Sequence, residues 1–166
     1  HVVGVRGPPV GPAEHLVALL PLVDAGPDRH DDTARRLVTI PGVGVLDATA
    51  LVAVVGDGAA FRRGRDLGAW LGLVPKQHTT GGKPKLLGIS KRGNKYLRML
   101  FIHGARAAMP SLSASQSPLG GWLRGLLART HRNIAIVALA NKLARIAWAT
   151  LRRKTSFDLR HLAVAG

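Results

Sequence analysis

The chain contains no cysteine, which excludes disulfide scaffolds, cysteine nucleophiles and thiolate zinc sites, and allows a reducing compartment. Acid is scarce as well, with nine aspartates and glutamates against 24 lysines and arginines and a formal net charge of +15. None of the nine lies between Asp66 and Asp158, an interval that holds sixteen basic residues. Such a stretch cannot assemble a carboxylate-held metal site of its own. Basic charge over that much sequence releases counterions on meeting phosphates, so nucleic acid is the first partner to consider. The single tyrosine, Tyr96, lies upstream of His103-x-x-Arg106, whereas tyrosine recombinases need theirs downstream of such a pair. The seven histidines are scattered, with no ligand pair at helical spacing backed by acids, so no metal site is expected here.

No uninterrupted membrane span is expected. The apolar run Val38 to Gly56 contains Pro41, Gly42, Gly44 and Asp47 in its first half, where a lipid-exposed helix would break. The first residues, HVVGVRGPPVGP, lack the apolar core of a signal peptide. At 166 residues and 46% hydrophobic content the chain can bury a real core, and it reads as a fragment or remnant of something longer.

Apolar spacing predicts a mainly helical, all-α fold. After a frayed lead-in, residues 13–23 fit the last turns of a helix, and Asp31 or Asp32 caps a short helix to about Thr39. IPGVG (40–44) then leads to a second helix over about 46–55, followed by a loop at 56–58 and a helix over about 64–71. Leu97, Leu100, Phe101, Gly104 and Ala108 give a helix over about 94–108 one face, and Lys91, Lys95, Arg98 and Arg106 give it a cationic one. Pro110 to Pro118 reads as a serine-rich loop. A helix near 122–127 and a long one over about 132–153 complete the bundle, the latter with Ile136, Leu139, Leu143, Ile146 and Ala147 on its core side. Trp70, Trp122 and Trp148 are expected as core anchors.

Two segments are candidates for chemistry. The helices joined by Pro41-Gly42-Val43-Gly44 read as a helix-hairpin-helix, in which Gly42 and Gly44 bring bare amides and a helix N-terminus toward a phosphate. The segment HTTGGKPKLLGISKRGNKYLR (78–98) combines the hydroxyls of Thr79, Thr80 and Ser90 with glycines, lysines and arginines. A hydroxyl attacks a phosphodiester only if a base takes its proton and cations neutralise the charge growing on phosphorus. Cations abound, and His78 and His103 are the nearby candidate bases. From the residues alone, a solvated phosphate-gripping loop is the reading favoured over hydroxyl chemistry.

Read together, IPGVG, ATALVAVVGD, FRRGRDLGAWLGLVPKQHTTGGKPKLLGISKRGNKYLRMLFIHGARA and ALANKLARIAWATLRR resemble the C-terminal transposase domain of the DEDD-type insertion-sequence transposases, the group typed by elements one-ten and eleven-eleven. The resemblance runs from about Arg35 to Lys154. It implies a domain over 31–154 containing the helix-hairpin-helix (31–56), preceded by a linker and the end of a coiled coil (1–30) and followed by a tail (155–166). It also implies a bacterial cytoplasmic, nucleoid-associated enzyme of DNA transposition and recombination. Its partners would be DNA, in some members a guide (bridge) RNA, and further copies of itself, as a tetramer. Divalent metal, as Mg2+, is expected in an acidic N-terminal domain and no cofactor in these residues. The family's nucleophilic serine precedes a glycine after GL-x-P, and the matching residue here is Thr80, with Thr79 before it and Ser90 the nearest serine. Lys83, Lys85, Lys91, Arg92, Lys95 and Arg98 would grip nucleic acid. The alternative is a remnant that binds nucleic acid without catalysis.

Overall fold

The computed structural model describes the backbone of residues 30–80, 83–89 and 93–161, and the side chains of residues 32–74 and 93–160. The expected helix over 13–23 lies outside them, as does all but His30 of the linker and coiled-coil end assigned to 1–30. Among the described residues, six helices and one two-stranded ribbon follow in chain order: α1 (His30–Val38), α2 (Val45–Val55), α3 (Gly64–Trp70), β1 (Pro75–Thr80), β2 (Lys83–Ile89), α4 (Lys95–Ala114), α5 (Pro118–Arg129) and α6 (Arg132–Arg153). A 3-10 turn, Leu159–His161, follows α6. The protein is mainly helical, as the apolar spacing requires.

The core is built on α6, which packs against α1, α3, α4 and α5. Its alanines explain how one helix meets four: Ala135, Ala140, Ala144 and Ala147 are fully buried among Ile136, Leu139 and Leu143, and small side chains let neighbouring backbones approach. Among the described residues, α6 is also the one helix long and apolar enough to cross a membrane. Half of its apolar window is buried by the other helices, as in a core helix.

Trp148 ties α6 to the loop after α2. Its indole Nε1 donates to the carbonyls of both Gly58 and Phe61, at 3.2 Å each. Trp70 packs on Phe61 with ring centroids 5.6 Å apart, and Trp122 carries the Lys142 ammonium 4.7 Å from its ring centre. All three tryptophans are partly buried against the core. Burial pushes the Lys142 ammonium down from its ordinary pKa, and Arg145 adds to the effect. The tail folds back onto the first helix, since the Phe157 N–H donates to Thr39 Oγ1 at 2.8 Å.

Three expectations about the helices change. Asp31 and Asp32 lie inside the first turn of α1, which begins at His30. There their charge still favours the helix dipole. The serine-rich segment is not a loop, because α4 runs through Pro110 to Ala114. Interior proline costs a helix about 3 kcal/mol, but Met109 and Leu112 beside it are each 2% exposed, and their burial offsets that cost. Arg124 Nη1 then donates to the Ser113 carbonyl at 2.9 Å and also to that of Ser115, satisfying the end of α4. Finally, α5 starts at Pro118 rather than near Trp122: Ser117 Oγ accepts from the Gly120 N–H at 3.1 Å, and proline is preorganised for a first helical turn.

Candidate active site

The glycine-rich segment, expected as a loop, contains an antiparallel ribbon. Its register pairs Thr80 with Lys83, Thr79 with Pro84, His78 with Lys85 and Gln77 with Leu86, with an irregularity between Pro75 and Gln77. Directly opposed residues of an antiparallel pair share a face, and successive residues alternate. Thr80, His78, Lys83 and Lys85 therefore fall on one face of the ribbon, and Thr79, Gln77, Pro84 and Leu86 on the other. Gly81 and Gly82 lie between the paired Thr80 and Lys83 in sequence. Each strand packs chiefly on the other rather than on the helices, so the ribbon is an arm of the helical body.

The arm's root is built from the end of α3 and the start of α4. Helix α3 closes with Gly72 at φ 74°, the Gly72 N–H donating to Ala69 and the Leu73 N–H to Gly68, both at 3.0 Å. This is the two-bond pattern of a left-handed helix stop. Across from it, Gly93 at φ 86° lies so close to Trp70 that a β-carbon there would overlap the Trp70 carbonyl oxygen. Asn94 then caps α4 by accepting from the Leu97 N–H at 2.9 Å.

The predicted cations separate into groups. Lys95 and Arg106 are exposed on α4. Arg98 is not part of an open stripe: it is 9% exposed, and its Nη1 points 3.4 Å from the carbonyl oxygen of Leu71. Lys83 and Lys85 have ribbon positions by register. Ser90, Lys91 and Arg92 lie outside the described residues. His103, the second candidate base, is exposed on α4 beside Asp47, whose carboxyl it affects electrostatically, and so belongs to the turn before α2.

At that turn the two hairpin glycines have structural partners. Ile40 to Val43 forms a tight turn closed by the Val43 N–H on the Ile40 carbonyl at 3.0 Å, with Pro41 second and Gly42, at φ 83°, third. That is the residue order of a type II turn. Gly42 also packs against Gly104 of α4, where a β-carbon on Gly42 would lie 2.6 Å from the Gly104 carbonyl oxygen. The Gly44 N–H, expected to face a phosphate, donates to Asp47 Oδ2 at 2.9 Å. Burial pushes the Asp47 carboxyl up from its ordinary range, against the lowering effects of the Gly44 N–H and of His103. The apolar flanks of the turn, Leu37, Ile40, Leu51 and Val52, are all in the core.

The aspartates with partners nearby are engaged locally. Asp47 caps α2, Asp57 meets the Ala59 N–H and Arg152, Asp66 caps α3 through the Arg63 N–H, and Asp158 pairs with Arg160. Among the described residues no three His, Asp or Glu converge as a metal site.

The sequence profile of the Transposase IS116/IS110/IS902 family matches residues 34–118, just over half of the chain. Over 129 residues the chain is 50% identical to a "Probable family 20 transposase" of Pseudomonas aeruginosa, covering 78% of this chain and 38% of that protein. It is 50% identical over 128 residues to the transposase for insertion sequence element IS1328 of Yersinia enterocolitica, covering 77% and 38%. With the transposase for IS1111A of Coxiella burnetii it shares 48% over 129 residues, covering 78% and 35%. The chain thus spans little more than a third of the length of these relatives.

Proposed function

The chain belongs to the IS116/IS110/IS902 transposase family, and we propose that it is the part of such an enzyme that grips DNA and attacks it with the hydroxyl of Thr80. The observation that carries this reading is the ribbon register, which puts Thr80 on one face with His78, Lys83 and Lys85. That face combines an alcohol, a group able to take its proton and two cations, within an interval free of acid. The register favours Thr80 over Thr79, which falls on the other face with Gln77, Pro84 and Leu86.

The step is a transesterification. Thr80 Oγ forms a bond to phosphorus while the bond from phosphorus to a deoxyribose oxygen breaks. The threonine proton passes to the imidazole of His78, and the leaving oxygen takes up a proton as it becomes a hydroxyl. Lysines 83 and 85 stabilise the charge that develops on the phosphoryl oxygens. The phosphothreonine ester keeps the bond energy of the broken linkage, so a second strand's hydroxyl can rejoin it without a nucleotide cofactor. Threonine has the oxygen this needs, although its β-branch narrows the rotamers open to it. Lys95 and Arg106 extend the phosphate contacts onto the helical body, and a guide RNA would meet the same cations.

The test uses a chimera that joins the N-terminal part of the Pseudomonas aeruginosa relative to this chain, supplied with guide RNA and a DNA end carrying a nick that traps a covalent intermediate. A protein–DNA adduct is expected with the unaltered chain, with Thr80→Ser and with Ser90→Ala, and its loss is expected with Thr80→Ala. An adduct that survives Thr80→Ala and disappears with Thr79→Ala or Ser90→Ala assigns the attack elsewhere. No adduct in any form leaves the chain a binding module.

A further inference from the structure

We propose that Arg98, together with Gly93, is a positioning device that fixes the root of the β1–β2 ribbon, and with it the place of whatever the ribbon carries, rather than a contact to nucleic acid. The proposal rests on the reading above only in naming Thr80 as the cargo.

The geometry follows from how α3 ends. A helix leaves its last carbonyls without intrahelical donors. The left-handed stop at Gly72 serves those of Gly68 and Ala69, which leaves the carbonyls of Trp70 and Leu71 at the edge from which β1 departs. The strand returning from β2 reaches both. Gly93 fits against the Trp70 carbonyl where no other residue could, and the Arg98 guanidinium points at the Leu71 carbonyl. A cation at the negative end of a helix is favourable, and a guanidinium carries several donors in one plane, which an ammonium does not.

Burial separates Arg98 from its neighbours. Lys95 and Arg106 on the same helix are exposed, while Arg98 is nearly as inaccessible as the core leucines. Leu73 before the ribbon and Leu97 after it are both buried. Leu73 lies two residues before β1, and Gly93 and Leu97 lie four and eight residues after β2, so the arm is anchored to the body at both ends. Because the strands pack chiefly on each other, this root is what sets the arm's placement. The run Arg92-Gly93-Asn94-Lys95-Tyr96-Leu97-Arg98, which reads as a basic grip, divides by chemistry: Gly93 for close approach, Asn94 for the cap, Leu97 for the core, Arg98 for the clamp, and exposed Lys95 for phosphate.

The absence of cysteine permits a direct test on the 166-residue chain. Spin labels at Gln77→Cys on the ribbon and Ala128→Cys on α5 report the distribution of arm-to-body distances, and DNA affinity is measured on the same proteins across a salt series. With Arg98→Met we expect a broadened or shifted distribution and an unchanged salt slope. Lys95→Met is expected to keep the distribution and to lower the slope by about one. Arg98→Lys keeps the charge and loses the planar fork. It is expected to broaden the distribution too, and it carries the test if Arg98→Met does not fold. In the chimera, either Arg98 variant should slow adduct formation at saturating DNA by up to about 10²-fold, the effect of a misplaced reacting group. An unchanged distribution in both Arg98 variants overturns the clamp, and so does a lowered slope with Arg98→Met alone. Failure of Thr80 as nucleophile would leave the distance distributions as they are, so the two readings fail separately.

Discussion

Replacing Gly42 with alanine separates two uses of the glycine-rich turn, because packing and phosphate contact predict different losses. Gly42 has φ 83°, a region that costs an L-residue roughly 1–2 kcal/mol. Its new β-carbon would also stand 2.6 Å from the Gly104 carbonyl oxygen and 2.9 Å from the carbonyl carbon. Both are backbone atoms of the core helix α4, and overpacking of that kind adds about 1–3 kcal/mol. Together the expected cost is about 2–5 kcal/mol, a large part of the ~5–15 kcal/mol that holds a typical domain together. Gly104→Ala should act in the same direction, since its β-carbon would overlap the Gly42 carbonyl oxygen, offset by about 1 kcal/mol of improved helix propensity. Gly44→Ala is the control. Its φ is −84° and its nearest neighbour is Asp47 Oδ2 at 3.6 Å, so the loss should not exceed about 1 kcal/mol. Urea unfolding gives the order, read as a midpoint shift at constant slope. If Gly42→Ala unfolds at the wild-type midpoint yet loses DNA affinity, the turn is a phosphate contact and the packing argument is wrong.

Other consequences are as direct. Asp47 holds its proton more readily in the folded than in the unfolded chain, so the folded state binds more protons between the ordinary carboxylate pKa and the raised one. Stability contributed by this group therefore falls as pH rises through that window. Asp47→Asn keeps an acceptor for the Gly44 N–H without the charge, and its melting temperature relative to wild type should climb from pH 4 to pH 7; a flat or falling difference contradicts this. Trp148→Phe leaves the carbonyls of Gly58 and Phe61 without their shared donor and should cost about 1–3 kcal/mol, measured by thermal melting. DNA affinity should fall steeply with salt, with a log–log slope of roughly −5 to −7 if six to eight phosphates are neutralised, and a flat response would remove the electrostatic account of binding.

The helical core was legible because its signals are local. Leu97, Phe101 and Ala108 recur at helical spacing, as do Ile136, Leu139, Leu143 and Ala147, and all seven are buried. Pro110 misled because a proline normally stops a helix, and only the burial of Met109 and Leu112 decides otherwise. The Ser117-Pro118 pair was a readable start signal for α5 that a serine-rich composition obscured. The ribbon was also within reach: Thr79-Thr80-Gly81-Gly82 places a Gly-Gly pair where a hairpin turn takes one, but Lys83-Pro84-Lys85 hides strand alternation. Arg98 could not be assigned from sequence. Its distance of three residues from Lys95 suggests a shared basic face, and its carbonyl partner, Leu71, lies 27 residues earlier in the chain. Gly42 poses the same difficulty, since a turn between helices and a phosphate site require the same residue until Gly104 is seen against it.

The central claim, that the alcohol of Thr80 becomes joined to DNA, is tested most directly by finding the bond. Protease digestion of the trapped protein–DNA adduct from the chimera, followed by fragmentation mass spectrometry, reads which residue carries the nucleotide. The account predicts a phosphonucleotide on Thr80. The same modification on Thr79, Ser90 or Tyr96, or on a residue of the N-terminal part, would contradict it.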